Sequence, residues 1–298
     1  MEHRAISKTR TIHGDISVPG DKSISHRGVM LGAIATGTTR LLGFLDGADC
    51  RSTIDCFRRL GIAIEIDKEE VRIEGKGLGG LSAPETTLDV GNSGTTLRLI
   101  SGILAAAPFR TVLTGDASIQ KRPMRRIIDP LTKMGAHITS VRQNDCAPLE
   151  IEGALLSGMT YTTPVASAQV KSCILLAGLS ASGETKVIEP AISRDHTERM
   201  LAAFGADIIV EKNTTLLRPG QTLRGQEIHI PGDISSAAPF LAAGLLAPEG
   251  ELLLRNVNTN PTRAGLLSVI QEMGGKLTRS HEHRSSQEEV ADLLVSSS

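Results

Sequence analysis

Gly20-Asp21-Lys22-Ser23-Ile24-Ser25-His26-Arg27 runs straight into the apolar stretch Val29 to Ile34. A glycine turn and a polar loop thus open a helix that is apolar almost all round. Such a helix has no face to spare for water, so it belongs inside a ring of sheets and not on one side of a sheet. The arrangement repeats about every 70 residues, at Gly91-Asn92-Ser93-Gly94, Ala166-Ser167-Ala168-Gln169 and Gly232-Asp233-Ile234-Ser235. Val170 to Leu179 is a second helix with no polar face. Behind each opening helix come a turn and a strand, then an amphipathic helix ending in glycine. The closures are Leu60-Gly61-Ile62, Met134-Gly135-Ala136, Phe204-Gly205-Ala206 and Met273-Gly274-Gly275. Each glycine fits the position after a helix end, where positive φ excludes a Cβ cheaply. Ile62 to Ile66 alternates with period two and reads as a strand. Arg194 to Ala203 reads as a helix with Met200, Leu201 and Phe204 on one stripe. Four such units fill the chain and leave no room for a fifth.

The 298 residues are enough for roughly two domains, and 40% hydrophobic with 22% charged residues is a globular balance, not a disordered one. Thirty-two basic residues against 33 acidic ones argue against a nucleic-acid-binding surface over the whole molecule. One Tyr, five Phe and no Trp leave little for base stacking. The longest nearly apolar stretch, Ala237 to Ala247, is too short for a bilayer and holds Pro239 and Gly244. No apolar core follows Met1-Glu2-His3-Arg4, so no secretory signal and a cytoplasmic location are expected. Cys50, Cys56, Cys146 and Cys173 have no CxxC spacing and read as reduced thiols. None of the His residues has the neighbours of a metal site. Ala291 to Val295 reads as a strand in a unit left uncapped, which points to a truncated chain. The alternative is a short edge strand at a natural end.

The polar loops carry the chemistry. Lys22 and Arg27 sit within two turns of a helix start, where they oppose the dipole unless an anion is bound, although Asp21 and Ser23 could serve only as caps. Gly91 to Gly94 permits close backbone approach but lacks the Gly-Lys-Ser/Thr of a phosphate loop. Lys121-Arg122-Pro123-Met124-Arg125-Arg126 is a basic cluster, and Pro123 suits the first position of the helix holding Ile127, Ile128 and Leu131. Read locally it could also be a solvated charge run. Ser167-Ala168-Gln169 with Lys171 supplies a hydroxyl and an amide at another helix start. Ser193-Arg194-Asp195-His196 and Gly232-Asp233 complete the set.

Taken together, and in this order, these motifs resemble the 5-enolpyruvylshikimate-3-phosphate synthase family, the shikimate-pathway transferases inhibited by glyphosate. The resemblance runs from about residue 6 to the end. It implies an α/β enolpyruvyl-transferase fold of repeated βαβαββ units with inward helices. Residues 14–230 would form an amino-terminal domain of three units, and 1–13 with 231–298 an incomplete second domain whose first strand is roughly Met1 to His13. It implies transfer of the enolpyruvyl group from phosphoenolpyruvate to the 5-hydroxyl of shikimate 3-phosphate, in aromatic amino-acid biosynthesis. By the same resemblance, Lys22 would be catalytic and touch phosphoenolpyruvate. Ser23 and Arg27 would hold the shikimate ring and its carboxylate. Ser167, Ala168 and Ser193 would line the 3-phosphate pocket with Arg194 as charge partner, and Gln169 would lie against the ring. Gly94 and Arg122 would hold the phosphoenolpyruvate anion, while Asn92 shapes the loop. Gly94 leaves room beside that anion and implies glyphosate sensitivity.

No metal or organic cofactor is implied, nor nucleic acid or membrane, and the full-length enzyme is expected to be a monomer. The family's carboxylate acid/base groups are expected beyond residue 298, so this chain alone should bind shikimate 3-phosphate weakly and turn over negligibly. The rival within the fold is the UDP-N-acetylglucosamine enolpyruvyl transferase, which usually carries a cysteine before the Arg-Pro pair where this chain has Ala117-Ser118-Ile119-Gln120. The rival from another class is a non-catalytic fragment that only binds ligand.

Overall fold

In a computed structural model of the chain, which describes residues 10–298, the elements follow the repeat. The order begins with β1 (Thr11–Ser17), α1 (Lys22–Ile34), β2 (Thr36–Leu42), α2 (Ala48–Arg59), β3 (Ala63–Asp67) and β4 (Glu70–Lys76). Next come β5 (Leu88–Asp89), α3 (Gly94–Leu104), β6 (Arg110–Thr114), a 3₁₀ turn (Ile119–Lys121), α4 (Arg125–Lys133), β7 (His137–Ser140) and β8 (Leu149–Glu152). The third passage is β9 (Thr160–Thr162), α5 (Ala168–Gly178), β10 (Thr185–Ile188), α6 (His196–Ala203), β11 (Asp207–Glu211), β12 (Thr214–Arg218) and β13 (Glu227–His229). The last is α7 (Ile234–Leu246), β14 (Glu249–Asn258), α8 (Gly265–Glu272), β15 (Lys276–Ser285) and β16 (Glu288–Ser296).

Every sheet has the same plan: a parallel pair at one edge, then two strands added antiparallel. The orders are β5-β6-β8-β7 and β9-β10-β12-β11 for two units whose strands are all their own. The other two exchange their first strand. β1, which leads into α1, pairs parallel with β14, and β13, which leads towards α7, pairs parallel with β2. The exchange divides the chain into one compact unit of Lys22–His229 and another made of the segment ending at Asp21 with Ile230–Ser298. The boundary expected at residue 14 falls inside β1, all seven of whose residues pair with β14. Of the strand expected over 1–13, residues 1–9 lie outside the described residues. β16 is no edge strand, since it pairs with both β14 and β15.

The four closing glycines behave alike. Gly61, Gly135, Gly205 and Gly274 have φ between 81° and 102°. Each donates its N–H to the carbonyl three residues back, and the next residue donates to the carbonyl five back, as in Ile62 to Phe57 at 3.0 Å. This is the paired hydrogen bonding that closes a helix on a left-handed residue. One helix start differs from expectation. Pro123 stands outside α4, bridged to Cys146, because the Met124 N–H is taken by the Asp145 carbonyl at 2.6 Å and the helix begins only at Arg125.

Within Lys22–His229, α1, α3 and α5 are buried along almost their whole length. α3 and α5 approach so closely that a Cβ on Gly102 would stand 2.2 Å from the Cys173 carbonyl oxygen. α1 packs on β2 and β4, and α5 on β10. Each fully buried Leu or Ile in this core contributes about 2 kcal/mol relative to exposure. The other unit has a separate core in which Ala237 and Leu241 of α7 meet Leu252, Leu254, Leu293 and Val295.

Candidate active site

The first turns of α1, α3 and α5 are neighbours, and side chains join them. Gln169, the second residue of α5, donates to Thr95 Oγ1 at 3.1 Å and accepts from Arg98 Nη1 at 2.8 Å, both on α3. Arg27 of α1 reaches Ser172 Oγ on α5 at 2.9 Å and Thr197 Oγ1 on α6 at 2.6 Å, and bonds the Ser23 carbonyl at 3.0 Å. The helices can meet end to end here because their starts are capped from within. Ser93 accepts the Thr96 N–H at 3.1 Å and Ser167 the Val170 N–H at 3.4 Å.

Two groups of expected residues emerge. Lys22 and Ser23 open α1, and the Lys22 ammonium pairs with Asp49. Arg194 Nη1 lies 3.5 Å from Ser23 Oγ, which brings the loop before α6 to the same helix start. Ser193 and Ser167 are tied together through one carboxylate, Glu189. Ala168 is the first residue of α5 and buried. The second group surrounds Gly94, the first residue of α3. A Cβ there would lie 2.8 Å from Arg98 Nη1 and 3.1 Å from Arg122 Nη1. Arg122 Nη2 donates to Asn92 Oδ1 at 2.7 Å and Ser118 Oγ at 3.1 Å, and Asn92 Nδ2 donates to Asp116 at 2.6 Å. Asn92 therefore aims a guanidinium as well as shaping its loop.

Among the described residues neither Arg98 nor Arg122 forms an ion pair. Arg98 is only 8% exposed, and burial, then Arg126 and Arg122, push its guanidinium down to about 10. Two guanidiniums held against one bare backbone position, neither in an ion pair and with only Asp116 acting on Arg122 from behind Asn92, make an arrangement that can take an anion. Behind the α1 start, burial and then Lys22 and Arg27 push His26 down to about 3, so the imidazole is neutral. It takes part in a hydroxyl chain, His26 to Thr53, Thr96 and Ser93, with each step 2.7 Å.

Arg98, Glu189 and Asp49 carry no assigned role in the sequence reading. Arg98 could have been found there, as a cation inside a helix apolar on every side. Asp49 meets Lys22, and Glu189 meets Ser167 and Lys171, only through the fold, and nothing local marks either carboxylate.

Inward helices on repeated βαβαββ units, opening on guanidiniums that form no ion pair among the described residues, define an α/β protein of repeated units whose helix starts can take an anion. The chain belongs to the family described as EPSP synthase (3-phosphoshikimate 1-carboxyvinyltransferase), whose pattern matches residues 6–297. A 3-phosphoshikimate 1-carboxyvinyltransferase of Bacillus subtilis (strain 168) is 53% identical over 291 residues, 98% of this chain and 68% of that protein. One of Brevibacillus brevis is 54% identical over 293 residues, 98% of this chain and 69% of that protein. A solved EPSP synthase from Acinetobacter baumannii superposes with a TM-score of 0.91 at 49% identity, covering 95% of this chain and 64% of that one. The fold is therefore that of the enolpyruvyl transferases, and the chain spans about two thirds of the length of these relatives. The UDP-N-acetylglucosamine reading is set aside, since the relatives carry the shikimate name at about half identity over nearly the whole chain. Among the described residues no helix is long and apolar enough to cross a membrane.

Proposed function

We propose that this chain receives shikimate 3-phosphate and phosphoenolpyruvate for enolpyruvyl transfer. Ser23 and Arg27 hold the ring and carboxylate, Ser167, Ala168, Ser193 and Arg194 the 3-phosphate, and Gln169 the ring face. Lys22, Gly94 and Arg122 hold phosphoenolpyruvate, with Arg98 as a further cation beside it. The observation that carries the reading is the convergence of Arg98 and Arg122 on Gly94, with neither guanidinium in an ion pair among the described residues.

The 5-hydroxyl attacks C2 of phosphoenolpyruvate while C3 takes up a proton, giving a tetrahedral ketal phosphate. Phosphate leaves as the new methyl group gives a proton back, and the enol ether remains. Two polyanions must be brought together, so the chain's contribution is charge and placement, with Lys22 at the reacting centre. On this reading the protein works in the cytoplasm on small anions, as a monomer, with neither nucleic acid nor membrane. Calorimetric titration tests it: shikimate 3-phosphate should bind at least about tenfold more tightly than shikimate, the worth of one or two charge-assisted hydrogen bonds. Equal affinities would refute the assignment. Phosphate release with both substrates then measures how much of the transfer the chain carries.

A further inference from the structure

We propose that Glu189 is a positioning residue for the 3-phosphate subsite, a buried carboxylate that sets where Ser167 and Ser193 stand. The proposal rests on the phosphate reading above. Glu189 is 2% exposed and follows directly on β10. Its backbone is clamped on both sides by Asn213, whose carbonyl accepts the Glu189 N–H at 2.9 Å and whose amide donates to the Glu189 carbonyl. The carboxylate is thus delivered on a fixed stem. Oε1 accepts the Ser167 N–H at 3.0 Å, and Oε2 accepts the Ser193 hydroxyl at 2.9 Å. One side chain so joins the helix-capping residue of α5 to the loop from which Arg194 reaches Ser23.

A carboxylate behind a phosphate site could equally repel the ligand. Here Lys171, 4% exposed in its side chain, stands 2.7 Å from Glu189 Oε2 and 2.7 Å from Glu198 Oε1. Burial alone would depress the ammonium, but the two carboxylates hold it above its ordinary value, while burial pushes Glu198 up. A cation in contact with Glu189 offsets its charge toward the ligand, which leaves placement as its main effect. Three donors converge on this group, and only a carboxylate with this reach can accept from all of them. Gln turns one acceptor into a donor, and Asp falls short.

The test is titration of the full chain and its Glu189→Gln variant with shikimate 3-phosphate and with shikimate. Glu189→Gln should weaken shikimate 3-phosphate by about tenfold, as for a lost hydrogen bond to a charged group, and leave shikimate unchanged. In a Ser193→Ala background the same change should cost about threefold or less, because the residue it positions is gone. Unchanged or tighter binding of shikimate 3-phosphate would overturn the proposal, as would an equal loss for both ligands. Failure of the underlying reading looks different: the unmodified chain would not distinguish the two ligands. If Glu189→Gln does not fold, Glu189→Asp keeps the charge beside Lys171 and should show the same selective loss; affinity equal to the unmodified chain would overturn the proposal.

Discussion

Helix α7 is the most apolar of the four opening helices, yet it is the one that faces water. Phe240 is 44% and Leu246 84% exposed, whereas α1, α3 and α5 bury nearly every residue. The difference extends to their cations. Arg263 beside the start of α7 is matched by Asp233 at 2.9 Å and Asp21 at 3.6 Å, while among the described residues Arg98 and Arg122 beside α3 form no ion pair, and Asp116 acts on Arg122 only from behind Asn92. The same opening motif thus ends in an ion-paired cation in one unit and, on the proposed reading, in an anion receptor in the other. Burial of an all-apolar helix depends on what packs against it, and its receptor character on which charges are left unmatched. The largest expected effect follows from the first contrast. Leu97→Ala in α3 should cost about 3 kcal/mol through its cavity, and Leu246→Ala in α7 less than about 0.5 kcal/mol. Urea unfolding of both variants decides; comparable losses would dissolve the contrast.

Acid should act on the buried helices as well. His26 is held at about 3, first by burial and then by Lys22 and Arg27, against an ordinary 6.5. The unfolded chain takes up this proton below 6.5 and the folded chain does not. Stability is therefore full above that value and declines as pH falls toward 3, by about 2 kcal/mol between pH 7 and pH 5 from this group. Glu198, raised by burial, works in the opposite sense, its contribution fading as pH rises past the ordinary carboxylate range. His26→Gln isolates the first effect. Its urea midpoint should change less than that of the unmodified chain between the two pH values; parallel shifts would place the acid sensitivity elsewhere.

What the sequence made legible were local rules repeated in register. The closing glycines announced themselves because a left-handed residue after a helix admits little else, and all four sit at positive φ. The opening helices were legible through their lack of a polar face. The exposure of α7 was not, because nothing inside Ile234–Leu246 says which neighbours it has. The strand exchange was visible only through the family resemblance, since β1 and β13 each pair with a strand well over a hundred residues away in the chain. At the site, Lys22, Arg122 and Ser167 sat in readable loops. Glu189 did not: a lone carboxylate before Pro190 gains meaning only when Lys171 and Ser193 are brought to it.

The charge contrast predicts a smaller effect. Arg122→Lys keeps the charge but loses the planar fork that Asn92 and Ser118 aim, so phosphoenolpyruvate binding should weaken about tenfold, roughly 1.4 kcal/mol. Arg263→Lys, in the cap that is already neutralised, should leave that affinity where it is. An equal response to both substitutions would mean that unmatched charge does not mark the receptor.

The finest probe is Gly94 itself. Its backbone does not need positive φ; what needs glycine is the approach of two guanidiniums, with a Cβ falling 2.8 Å from Arg98 Nη1 and 3.1 Å from Arg122 Nη1. Both atoms are the far ends of flexible chains, so Gly94→Ala should fold with an unchanged thermal midpoint. The guanidiniums must then yield by a few tenths of an ångström, and phosphoenolpyruvate affinity should fall about threefold, roughly 0.7 kcal/mol. Glyphosate, to which the family resemblance implies sensitivity through the room beside Gly94, should lose more, because the methyl takes volume as well as aim. Equal losses for both ligands would show that the cations moved but that the space beside residue 94 is not what the inhibitor uses.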